Sequence, residues 1–158
     1  MRRVTVRPIP CGSPPERFKW LADRIPITLS SQFGALEAVD ERGRTVAMVG
    51  YDGWTTNGVS LHIALEHPAA LRHVLGPGFG IPFIELGKQV VVATVLSNNA
   101  RSMRLVPRLG FREVFRGREW WSPGVDVVFF EMRREECRYV RKALREQERA
   151  KKERRAAA

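Results

Sequence analysis

Hydrophobic positions along the chain change period several times, and the changes mark its elements. The apolar run Val90–Leu96 is rich in β-branched residues and suits a strand covered on both faces. Ser97, Asn98 and Asn99 follow with side-chain oxygens able to cap the exposed amides of a helix. Inside that helix Met103 with Val106, and Leu105 with Leu109, recur at three- and four-residue spacing, which places one face on a sheet. Gly110 suits the left-handed position past the helix end, and Phe111 returns to extended chain. Pro107 predicts a kink or a short final turn, because it removes one intrahelical hydrogen bond.

Upstream, residues 4–9 predict a first strand and residues 16–24 a short helix presenting Phe18, Leu21 and Ala22, stopped by Pro26. Residues 35–40 and 45–51 read as a hairpin around Glu41-Arg42-Gly43-Arg44, and residues 59–65 as the next strand. Pro68 fits the first position of a helix. Gly76-Pro77-Gly78-Phe79-Gly80 predicts a break in it, while residues 82–87 still belong to the helical segment before the next strand. Two last strands, 111–116 and 126–132, flank a loop at 117–124. From Arg133 onward the pattern is a charged helix in which Cys137, Val140 and Leu144 supply an early packing face, and beyond Gln147 no apolar stripe remains.

These elements predict an α/β fold with a mixed, twisted sheet, one domain over residues 1–132 and a basic helical tail over residues 133–158. The 158 residues suffice for one sizeable core. A formal charge of +10 points to an acidic partner such as nucleic acid, another protein or the phosphates of a cofactor, although much of it lies in the tail. The tail lacks aromatic interleaving, so a nucleic-acid contact there would be a weak one. Cys11 and Cys137 share no motif spacing, no metal-ligand spacing occurs, and no run approaches a membrane span. A cytoplasmic protein is the expectation.

The stretch containing Asn99, Leu105, Leu109, Gly110 and Phe111 resembles the closing motif of the GNAT superfamily, the acyl-CoA-dependent N-acetyltransferases. That resemblance implies a sheet whose fourth and fifth strands run parallel and then splay. Acetyl-CoA would lie in the gap, with main-chain groups of Ile63, Ala64 and Leu65 pairing with its pantetheine arm and Asn99 beside it. The superfamily's glycine-rich phosphate loop is replaced here by Glu66-His67-Pro68-Ala69-Ala70-Leu71-Arg72-His73, leaving Arg72 or His73 to face a phosphate. Its frequent tyrosine acid is replaced by Val106. His-Ile-Ala at 62–64, Pro82-Phe83 and the segment 132–138 resemble GNAT-like proteins of tailed phages, some of which are virion components.

Acetyl transfer needs a neutral amine, and a lysine-type amine has a reference pKa of about 10.4, so a base or a desolvated site is required. His62 is the candidate base, since histidine changes charge near neutrality, and Glu66 could act through water. The plain alternative for His62 is a half-buried histidine bonded to a neighbour. Backbone amides of the strand 59–65 could meet the developing oxyanion. Trp120 and Trp121 either line an acceptor or protein contact or close the end of a sheet. Two functions stay open: an N-acetyltransferase taking an unknown amine, and a noncatalytic phage virion or assembly protein.

Overall fold

The computed structural model describes residues 3–158; Met1 and Arg2 lie outside them. Seven strands form one sheet in the order β1-β2-β3-β4-β5-β7-β6. They are β1 (Thr5–Ile9), β2 (Gly34–Val39), β3 (Thr45–Asp52), β4 (Gly58–Leu65), β5 (Val90–Leu96), β6 (Arg112–Ser122) and β7 (Val125–Arg133). The helices are α1 (Lys19–Ala22), α2 (Leu71–Gly80), α3 (Ala100–Leu109) and α4 (Arg141–Ala156). The expected hairpin is β2–β3, turned by Gly43 at φ 73°. The mixed sheet is the one the elements predict, and its parallel β4–β5 pair is the one the family resemblance implies.

The β4–β5 pairing joins Gly58, Val59 and Ser60 to Val90, Val91 and Val92 and goes no further. Beyond Ser60, β4 continues its ladder with β3 out to Leu65, while β5 continues with β7 out to Leu96. The two central strands therefore separate, and among the described residues no strand lies beside the edge of β4 from Leu61 to Leu65 on the β5 side.

Side chains alternate across the sheet. Val49, Tyr51, Val59, Leu61, Val91 and Ala93 join the larger core with Val74, Phe79 and Phe83 of the α2 segment and Leu109 of α3. The opposite face buries Met48 and Ala64 against Phe18, Leu21 and Phe33 around α1. Cys137 and Val140 are buried in the larger core, and Tyr139 stacks on Phe79 with ring centroids 5.3 Å apart. The first residues after β7 are thereby fastened to the body, whereas α4 buries no residue completely.

Two expectations are corrected. The glycines at 76–80 do not break the helix: α2 runs through Gly80, and Ile81–Glu85 extends it as a wider π-helical turn. The reason is tertiary. Pro82 has no N–H to give to the carbonyl of Gly78 four residues earlier, and the Tyr51 hydroxyl donates to that oxygen instead, at 2.7 Å. A Cβ on Gly78 would already be 3.4 Å from Val49, so the bare backbone lets the helix lie close to β3. The second correction concerns 117–124, which is mostly strand. β6 reaches Ser122, and its ladder with β7 shifts register twice, between Glu113 and Phe115 and between Gly117 and Ser122, where Glu119 adopts φ 47°. The Asp126 carboxylate accepts the Glu119 amide at 2.9 Å and holds that bend.

Candidate functional site

The gap between the splayed strands is a cleft of about 210 Å³. Strand alternation gives it two sides. Toward α3 lie Leu61, Ile63, Ala93 and Val95, with Ser102, Leu105 and Val106 of the helix. Toward the other face lie His62, Thr94, Leu96 and Val127, with Ile25 and Pro26 after α1 and the indole of Trp121. The α3 wall is set by its cap: Asn99 accepts the Ser102 amide at 3.0 Å, and Gly110 closes the far end at φ 106°.

Nε2 of His62 lies 2.8 Å from Oδ1 of Asp52. The β3–β4 register opposes Gly50 to His62 and Asp52 to Ser60, so Asp52 and His62 are diagonal neighbours on one face. An ionised Asp52 accepts the Nε2 proton, which fixes the neutral ring as the tautomer with Nδ1 unprotonated. Among the described residues no fully buried side-chain nitrogen or oxygen lacks a partner, and His62 makes no second side-chain bond, so Nδ1 is not completely enclosed. Phe33 stacks on the imidazole with centroids 6.1 Å apart. Gly50 makes that possible, because a Cβ there would be 2.6 Å from Phe33 and 2.7 Å from Leu21.

A second concavity, about 550 Å³, opens past the end of β4. Arg24, Arg44, Glu66, His67, Arg72 and His73 line it. Glu66 accepts from Arg24 at 2.8 Å, and the Arg24 guanidinium also lies 3.8 Å over the Trp20 ring. Arg44 is held by Asp40 through Nε and Nη2. The amide and guanidinium of Arg44 keep the Asp40 carboxyl below its usual range. Among the described residues Arg72 has no carboxylate partner, and its Nε donates to His73 Nε2 at 3.3 Å. Pro68 opens the helix as expected, in a 3₁₀ turn over Pro68–Ala70. That turn points the Ala70 amide back at the His67 carbonyl, at 3.0 Å. Cationic side chains, more than helix amides, are what this groove offers an anion.

The structure thus brings His62, Ile63 and Asn99 to the cleft and gathers Glu66, Arg72 and His73 in the groove. Ala64 and Leu65 are the strand between the two. Glu66 is tied to Arg24 and apart from His62. Asp52 is not among the sequence candidates, because its place beside His62 depends on the β3–β4 register. Val106 does line the cleft at the place where a tyrosine acid is expected. Among the described residues no cluster of three or more metal-binding side chains occurs. Neither is any helix long and apolar enough to cross a membrane.

A mixed sheet with splayed central strands, a helix between them and a second helix after the fifth strand is the fold of the GNAT N-acetyltransferases. No family model and no curated protein sequence matches the chain. Solved structures do. A mutant form of the spermidine/spermine N-acetyltransferase SpeG from Vibrio cholerae superposes with a TM-score of 0.69 at 11% identity, covering 89% of this chain and 99% of that one. The dodecameric spermidine N-acetyltransferase from the same organism gives 0.68 at 13% identity, over 84% and 94%. A GNAT-family acetyltransferase from Bacillus anthracis gives 0.53 at 13% identity, over 65% and 67%. At these identities the likeness is one of fold.

Proposed function

We propose that the chain is an N-acetyltransferase that uses acetyl-CoA as co-substrate and acetylates a primary amine. One observation carries the reading: the unpaired edge of β4 and the Asp52-held imidazole of His62 face the same cleft. The residues present fit the cofactor. Main-chain groups of Leu61–Leu65 can pair with an extended amide-bearing arm as an added strand would. Arg72, with His73 beside it, is the cation available to its phosphates. When bound, acetyl-CoA supplies an activated acyl group.

His62 is the general base, taking the proton of the incoming amine at Nδ1 while Asp52 keeps Nε2 protonated and the ring oriented. Backbone N–H groups on the open β4 edge are the donors for a developing oxyanion. Val106 cannot protonate a departing thiolate, so that proton comes from water and turnover is slow. Glu66, bonded to Arg24, positions the guanidinium that stacks on Trp20 and takes no part in proton transfer.

The noncatalytic reading, a phage virion or assembly component, is favoured by one feature. Phe115 and Trp120 on the edge strand β6 are 57% and 65% exposed, and the basic helix α4 extends beyond the core. Thiol release from acetyl-CoA separates the two: the enzyme releases thiol faster when an amine is added, and the assembly protein does not.

A further inference from the structure

Within the acetyl-transfer reading, we infer that the acceptor is a primary amine on an apolar or aromatic body, not a polyamine. The wall of the cleft that His62 faces is made by Ile25, Pro26, Leu96, Val127 and the indole of Trp121, with Thr94 its one neutral polar side chain. Among the described residues lining the cleft there is no aspartate or glutamate. A polyamine brings further ammonium groups beyond the reacting nitrogen, and each must leave water beside these walls. An unpaired buried ammonium is heavily disfavoured unless a carboxylate compensates it.

The nearby carboxylates are engaged elsewhere. Asp52 holds His62, Glu66 holds Arg24, and Asp126 holds Arg116 at 3.1 Å. The groove beside the cleft offers a polycation no free carboxylate either, since its Asp40 and Glu66 are paired with Arg44 and Arg24. What the wall does offer is apolar surface for burial and the indole of Trp121, 56% exposed and open to ring stacking. The fold resembles that of spermidine N-acetyltransferases, whereas the chemistry of this wall selects a different acceptor.

The experiment uses the full chain. Acetyl-CoA binding is first measured by calorimetry, and thiol release is then followed with phenethylamine, tryptamine, spermidine and N-acetyl-lysine methylamide. The expected result is a kcat/KM for the two aromatic amines at least tenfold above that for spermidine. Trp121→Ala should remove most of that preference through KM, and Val127→Glu should shift selectivity toward spermidine. Both variants are checked for an unchanged circular dichroism spectrum and melting temperature, which separates a changed wall from a misfolded protein. Acetyl-CoA binding with spermidine as the equal or better acceptor overturns this inference and leaves acetyl transfer standing. So does binding without acetylation of either aromatic amine. Absence of acetyl-CoA binding overturns both.

Discussion

His62 and Asp52 meet across a diagonal of the β3–β4 ladder, 2.8 Å apart, at the point where β4 parts from β5. The pair gives one ring nitrogen a fixed proton and leaves the other to accept one. His62→Ala is expected to lower kcat roughly 10²–10⁴-fold, the usual worth of a positioned base. Asp52→Asn should lower kcat by less and leave acetyl-CoA affinity unchanged. Steady-state kinetics with a binding titration on both variants checks this; equal activity of His62→Ala and the parent would remove the base from the mechanism.

Arg72 is the cation of the groove without a carboxylate partner among the described residues. Arg72→Ala should therefore weaken CoA more than it weakens pantetheine, which lacks the phosphates. Parallel titrations of the two ligands decide it, and equal losses would place the phosphates elsewhere.

Gly50 lies opposite His62 and leaves room for the Phe33 ring. Gly50→Ala puts a methyl group 2.6 Å from Phe33 and should destabilise the fold by about 1–3 kcal/mol, the range for overpacking. Denaturant unfolding measures the loss. The variant should also lose activity through displacement of Phe33 from His62, and Phe33→Leu in the same background should recover stability.

Acid should loosen the β6–β7 end. The Glu119 amide and then Arg116 lower the pKa of Asp126, and the Arg116 side chain lowers that of Glu113. A carboxyl depressed in the folded state contributes stability above its unfolded value and loses it as pH falls through the folded one. The loss thus begins near the ordinary values of 3.8 and 4.5 and deepens below them. Thermal melting of the parent and Asp126→Asn should differ at pH 7, and the difference should shrink toward pH 3. A difference independent of pH would mean that the carboxylate charge contributes nothing.

Most strands and the α3 cap were legible because local chemistry and tertiary context agree there, whereas the splay of β4 from β5 was implied only by the family resemblance. Asn99, the apolar β5 and Gly110 each point to the same element. The glycines of α2 misled because their role depends on distant partners: Tyr51 replaces a donor that Pro82 lacks, and Val49 rewards the missing side chain at Gly78. The strand character of 117–122 was hidden by Gly117 and the bend at Glu119, which Asp126 holds from the next strand. For the site, single residues such as His62 and Arg72 were visible. Asp52 depended on register, and the pairing of Glu66 depended on Arg24 arriving from the segment after α1.

The most direct test of the central claim is a calorimetric titration of the full chain with acetyl-CoA. The account predicts saturable binding at one site per chain, with a Kd below millimolar and a weaker Kd for Arg72→Ala. No binding heat or competition signal at millimolar acetyl-CoA would contradict it.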